Sequence, residues 1–146
     1  MKTELEEILN QPLGASEWVT IPQSHIDQFA DLTQDHQFIH VDKDRAKYSA
    51  FGTTIAHGML TLSVAVPLIL PFFERFTRNR TLVNYGSDKV RFLEPVPSGG
   101  QIRAQPTLVN IEQKPEDRWL LTIHTEIDIR HKTRPALSAD LLLLML

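Results

Sequence analysis

Apolar residues recur at helical spacing in the first half of the chain and alternate with polar residues in the second half. The opening segment "MKTELEEILNQPLG" (1–14) sets Leu and Ile between acidic residues, which predicts a short amphipathic helix. "SEWVTIP" (16–22) is typical of a short first strand. A second helix is expected to begin at Ser24 and to end near Thr33, with Asp27 completing a capping box.

The segment from Ala56 to Phe73 predicts a long helix that is apolar on nearly every side, and such a helix is usually buried all round. Pro67 predicts a kink, and Pro71 is expected to end the helix. The apolar run is short and interrupted by polar residues and prolines. We therefore expect no membrane span.

Beyond residue 80, five segments predict strands, separated for the most part by Gly and Pro: "TLVNY", "DKVRFLEPV", "QIRAQPTLVNIEQ", "RWLLTIHTEIDIR" and "ALSADLLLLML". The fourth alternates most clearly. One of its faces carries large apolar residues (Trp119, Leu121, Ile123, Ile127 and Ile129), and the other face is polar (Thr122, His124, Glu126 and Asp128).

The order of elements indicates an α+β fold in which a curved antiparallel sheet wraps around the long helix. The C-terminal "DLLLLML" has no alternation, so we expect it to need cover on both faces. A homodimer whose sheet continues across the interface is the simplest cover, and it would also protect the sheet edge.

Composition narrows the possible functions. The chain has 146 residues, which favours one domain (1–146) with residues 1–14 as a helical extension. There are no cysteines, so a thiol nucleophile and cysteine-ligated metal sites are excluded. The net charge of −3 gives no electrostatic reason to expect nucleic acid or a membrane surface as partner. We expect a cytoplasmic protein, because the N-terminus lacks the apolar centre of a signal peptide.

The loop "QDHQFIH" brings together the strongest candidates for acid–base chemistry. Asp35 and His40 could share proton transfer, since imidazole titrates near neutrality. Loop Asp and His residues are, however, often only solvated or part of local turns. His36 and His40 stand four residues apart and could bind a metal on a helix. No third ligand lies at a recognisable spacing, so we predict no metal site.

The turn "AHG" begins the apolar helix, whose first N–H groups are unpaired and carry partial positive charge. Gly58 would allow a substrate oxygen to approach this backbone, as in an oxyanion site. For His57 a capping or orienting role is favoured. Ser63 and Thr61 would ordinarily bond back to a carbonyl one turn earlier, although either could contact a substrate.

"FADLTQDHQFIHVDKDRA" followed by "FGTTIAHGMLTLS" resembles the hydratase motif of the MaoC-like dehydratase family, the (R)-specific enoyl-CoA hydratases with a hot-dog fold. "NYGSDKVRFLEPVPSGGQIRA" is similar to the nodulation protein N-like branch of that family. The resemblance runs from about residue 15 to the C-terminus. It implies a sheet wrapped around a long central helix, in agreement with the layout above.

The resemblance implies that Asp35 and His40 are catalytic and that the Gly58 N–H faces the thioester carbonyl. The remaining candidates, implied to contact the substrate, are Ser63, His57, Phe38 and Asn84. The implied reaction is reversible hydration of trans-2-enoyl-CoA or of a carrier-protein thioester, as in fatty acid metabolism. It needs no metal or redox cofactor, and coenzyme A is part of the substrate. A hot-dog thioesterase and a non-catalytic acyl-thioester-binding subunit are the alternatives.

Overall fold

The computed structural model describes residues 2–77 and 80–146. Its helical segments are α1 (Lys2–Glu7), α2 (Gln23–Thr33), α3 (Phe38–Val41), α4 (Lys43–Ala46), α5 (Gly58–Ile69), a 3₁₀ turn (Leu70–Phe73) and α6 (Glu74–Thr77). Its strands are β1 (Val19–Ile21), β2 (Leu82–Phe92), β3 (Gly100–Lys114), β4 (Arg118–Ile129) and β5 (Leu137–Met145).

The five strands form one antiparallel sheet in the order β1-β3-β4-β5-β2, and α5 contacts β3 and β5 of that sheet. The α+β prediction is confirmed. The alternation in β4 is confirmed too, because the predicted apolar face is buried: Trp119, Leu121, Ile123, Ile127 and Ile129. The core therefore lies between one face of the sheet and the helices.

The strand predictions need one correction. "TLVNY" and "DKVRFLEPV" belong to one long strand, β2, whose pairing with β5 shifts between Asn84 and Gly86 and again between Asp88 and Arg91. The C-terminal segment forms β5, which lies between β4 and β2; Leu141 and Leu143 are buried in the monomer core, whereas Leu142 and Leu144 on the other face are only partly buried. The long, mostly exposed edge strand of the sheet is β2, and the short β1 forms the other edge.

The expectation that the long helix is buried all round is wrong for this chain. One face of the helical run is buried (Thr61, Ala65, Ile69 and Phe73), and the opposite face is exposed (Met59, Ser63, Pro67 and Pro71). A single sheet covers only one side of a helix, which leaves the other side open. The continuous helical run Gly58–Thr77 is long and apolar enough to cross a membrane by length and composition alone. In the fold it lies against the sheet.

The segments before α3 also differ from the prediction in detail. Helix α2 begins one residue before Ser24, and its N-cap is Pro22, with no side-chain capping bond. Asp27 instead accepts a hydrogen bond from the Gln23 amide (2.8 Å). Within residues 1–14, Leu5 is fully buried, so this extension contributes to the core.

Candidate active site

His40 lies at the centre of the candidate site and is held in one orientation. Its Nδ1–H donates to the Ile55 carbonyl (2.7 Å), and the Ile55 N–H donates in turn to the Ile39 carbonyl (3.0 Å). The Gln23 side-chain amide donates to the backbone carbonyl of His40 (2.7 Å). Since a carbonyl can only accept, Nδ1 carries the hydrogen, and Nε2 is the nitrogen left to accept or transfer a proton.

The surroundings of His40 favour its neutral form. The side chain is buried, and burial lowers the pKa of His40 below its ordinary value. The hydrogen bond to Ile55 acts in the opposite direction and raises the pKa, the nearby His57 lowers it further, and Asp35 raises it. The net effect is a lowered pKa, so the Nε2 lone pair is available at neutral pH.

His57 is the N-cap residue of α5 and packs directly on His40. The two rings stack with centroids 3.8 Å apart and planes 23° from parallel. Nε2–H of His57 donates to the backbone carbonyl of Asp35 (3.0 Å), and the Phe29 ring is tilted against the His57 ring with centroids 5.0 Å apart. His57 therefore links the loop that carries Asp35 to the start of the central helix.

Asp35 follows the end of α2, where Gln34 adopts a left-handed conformation (φ 63°). Its side chain is exposed and accepts a long hydrogen bond from the Gln37 N–H (3.4 Å). One atom from each of three side chains, a carboxylate oxygen of Asp35 and a ring nitrogen of His40 and of His57, lies within 4.8 Å of the other two. The fold thus brings Asp35 and His40 together, and it adds His57.

The grouping of Asp35, His40 and His57 also bears on whether this site could bind a metal ion. His36 contacts the carboxylate of Asp31 (2.8 Å), so the His36–His40 pair considered from sequence spacing does not form. His57 is the third potential ligand, which sequence spacing did not reveal. The in-plane lone pairs of stacked, nearly parallel imidazoles lie in separate, nearly parallel planes, which suits convergence on one ion poorly. The arrangement fits acid–base chemistry better.

Gly58 begins α5 and shares a cavity of about 290 Å³ with His40. The lining consists of His40, Phe51, Ile55, Ala56, Gly58, Thr61, Phe92, Leu93, Glu94, Pro95, Val96 and Ala136. A Cβ added to Gly58 would lie 2.9 Å from the Phe92 ring, so the close packing here depends on glycine. The first turn of a helix has unpaired N–H groups at the positive end of its dipole, which suits an oxygen that becomes negative.

Three other residues predicted to contact the substrate do not line the cavity that contains His40 and Gly58. Ser63 and Asn84 line a second cavity of about 290 Å³ beside the exposed face of α5, and the Ser63 hydroxyl donates to the Met59 carbonyl (2.8 Å). Phe38 lies under the Arg45 guanidinium, which is 4.4 Å from the ring centroid. Thr61, and not Ser63, lines the His40 cavity.

Phe92 and Glu94 are site residues that the sequence did not indicate. Phe92 ends β2 at the sheet edge and Glu94 follows it, so both lie far along the chain from the motif. Their neighbourhood in "DKVRFLEPV" carries no pattern that predicts contact with the helix start. Only the pairing of β2 with β5 brings them there.

Comparison with known proteins identifies the family. The profile of the MaoC like domain matches residues 4–126. Nodulation protein N of Rhizobium leguminosarum bv. viciae is 41% identical over 133 residues, which cover 90% of this chain and 83% of that protein. The 3-hydroxyacyl-thioester dehydratase Z of Mycobacterium tuberculosis is 39% identical over 137 residues, which cover 94% of this chain and 90% of that protein.

A solved structure shows the same fold. The MaoC-like dehydratase from Rhodospirillum rubrum superposes with a TM-score of 0.76 over 96% of this chain and 94% of that chain, at 19% identity. The predicted hot-dog fold and the similarity to nodulation protein N are both confirmed. The chain belongs to the MaoC-like dehydratase family.

Proposed function

We propose that the chain catalyses the reversible, (R)-specific hydration of a trans-2-enoyl thioester to the 3-hydroxyacyl thioester. The observation that carries this proposal is the shared cavity: His40, with Nδ1 already bonded to Ile55, lies in the same lining as Gly58 at the start of α5. The name of the 39% identical relative, a 3-hydroxyacyl-thioester dehydratase, supports the same reaction in its reverse direction.

In the proposed reaction, His40 Nε2 accepts a proton from a water molecule while the water oxygen bonds to C3 of the enoyl group. The C2–C3 double-bond electrons move toward the thioester carbonyl, which becomes an enolate oxygen. The imidazolium then returns the proton to C2, and the carbonyl re-forms. Asp35, close to His40, orients the water, so that oxygen and proton arrive on one face.

The enolate oxygen is expected to sit on the Gly58 N–H. Its negative charge would be stabilised by the unpaired N–H groups and the positive end of the α5 dipole. No metal, Lewis acid or redox group enters these steps. The acyl group of the substrate is held as a thioester by coenzyme A or by the phosphopantetheine of a carrier protein.

We also propose that the working unit is a homodimer joined through β2. This strand forms one edge of the sheet and is mostly exposed, with Val83 41% and Tyr85 63% accessible. A long edge strand with apolar side chains is a template for further strand pairing. Pairing with a second copy would extend the sheet and would cover the exposed face of α5, including Met59.

The test is incubation with crotonyl-CoA, following the loss of enoyl-thioester absorbance with a parallel assay for free thiol. We expect the absorbance to fall without release of free thiol. We also expect chiral chromatography to show a product of (R) configuration. Thiol release at the same rate would instead assign a thioesterase. A folded protein that leaves both signals unchanged with CoA and carrier-protein thioesters would contradict the proposal. Rates with and without EDTA should be equal.

A further inference from the structure

His57 is the most buried titratable group near the site that the proposed reaction does not use. The residue is 3% exposed, and its ring contacts the rings of Phe29 and His40. Because Nε2–H is given to the Asp35 carbonyl, Nδ1 must be the acceptor nitrogen. Within the described part of the chain this Nδ1 has no hydrogen-bond partner. An unpaired buried polar atom destabilises the folded state, so a simple packing role would be served better by an apolar ring.

His57 contacts both Asp35 and His40, the two residues with catalytic roles in the proposed reaction. Its Nε2–H holds the backbone of Asp35 (3.0 Å), and its ring face holds the ring of His40 (3.8 Å between centroids). Phenylalanine could supply only the second contact, and glutamine, whose Nε2 mimics the imidazole Nε2, only the first. Histidine supplies both from one position at the start of α5.

We propose, on the basis of the proposed hydratase function, that His57 is a positioning residue that fixes Asp35 relative to His40 and keeps His40 ready to accept a proton. The rings are too close for both to carry charge comfortably, so His57 disfavours the protonated form of His40. The titratable groups that face His40 are Asp35 on the preceding loop, His57 on α5 and Glu94 across the cavity. Of these, His57 alone opposes its protonation.

The matched variants are His57→Phe, which keeps the stack and loses the donor, and His57→Gln, which keeps a donor and loses the stack. His57→Phe should lower kcat by about 10²-fold through displacement of Asp35, with KM for crotonyl-CoA nearly unchanged. His57→Gln should keep more of the turnover. In both variants the acid limb of the kcat profile and the NMR titration of His40 should move to higher pH. His25→Asn, exposed on α2, is the control and should change neither.

The NMR titration needs no turnover, so it separates this proposal from the proposed function. One outcome is that the wild-type protein does not hydrate the substrate, while the His40 titration still moves in both variants. That outcome would overturn the hydratase function and support the effect of His57 on the protonation of His40. Unchanged His40 titration in both folded variants, or wild-type kcat in His57→Phe, would overturn the positioning role. If both variants fail to fold, the ring ¹⁵N chemical shifts of the wild-type protein show which nitrogen of His57 carries the hydrogen. Hydrogen on Nε2 is expected, and hydrogen on Nδ1 would overturn the proposal.

Discussion

At Asp35 and His40, the surroundings of each side chain determine which part of the proposed chemistry it can perform. His40 is buried, has one ring nitrogen fixed by a backbone carbonyl, and has a lowered pKa. Asp35 is exposed and makes one long hydrogen bond to its own loop. A buried neutral imidazole suits proton acceptance, whereas a solvated carboxylate suits orientation of water. The two residues are therefore expected to act as one unit.

Asp35→Asn and His40→Ala are each expected to lower kcat for crotonyl-CoA hydration by about 10²–10⁴-fold, because His40 transfers the proton and Asp35 orients the water that gives it up. The double variant should be little worse than either single variant, since the residues share one step. His36→Asn is the matched control, because this neighbour is half exposed and contacts Asp31. Near-wild-type hydration by a folded Asp35→Asn protein would remove the mechanism.

Folding stability should depend on pH through His40. Its folded pKa lies below the ordinary value of 6.5, so between the two values the unfolded chain binds more protons than the folded chain. The stability contribution of neutral His40 is thus fully present above the unfolded pKa and is lost as pH falls through this window. Urea midpoints should fall less in His40→Gln than in wild type between about pH 7.5 and pH 5. Equal falls would mean that His40 is not kept neutral by burial.

At the scale of elements, three neighbouring elements of the chain meet at one point. The loop after α2 supplies Asp35, the short helix α3 supplies His40, and the start of α5 supplies Gly58. The end of β2 then closes the cavity with Phe92, which would contact any side chain placed at position 58. The helix start is therefore expected to act through its backbone, in a space kept open by the absence of a side chain.

Gly58→Val should lower kcat by about 10²–10³-fold, as for removal of an oxyanion donor, because its side chain would block access to the backbone N–H. The same change would press on the Phe92 ring and lower the urea midpoint. The double variant Gly58→Val, Phe92→Ala distinguishes the two effects: stability should recover and turnover should not. Recovery of turnover together with stability would show that the loss came from the ring clash alone.

At the scale of the whole molecule, the described monomer leaves two apolar surfaces open on neighbouring elements. The outward face of α5 and the outer edge of β2 both border the cavity that contains Ser63 and Asn84. The other sheet edge, β1, is only three residues long. Pairing of two β2 strands would cover both open surfaces with one symmetric contact.

Light scattering at micromolar concentration should give the mass of a dimer for the wild-type protein. Val83→Glu and Tyr85→Glu together should shift the mass toward the monomer, because burying like charges near a two-fold axis is unfavourable. Leu32→Glu is the matched control, since Leu32 is an exposed apolar residue on α2, outside β2 and α5. A wild-type monomer, or a Leu32 variant that dissociates equally, would contradict an interface at β2.

The sequence alone determined the class of fold, the alternation in β4 and the site residues Asp35, His40 and Gly58 as candidates, because periodicity and short motifs are local properties. Only the tertiary structure decided that β2 is the edge, that β5 is interior and that α5 is covered on one side, because these depend on which strands pair. The same holds for two contacts between residues distant in sequence: the His57 ring stacks on His40, and Phe92 packs against Gly58. No local pattern encodes them, since they arise where loop, helix and sheet edge are packed against one another.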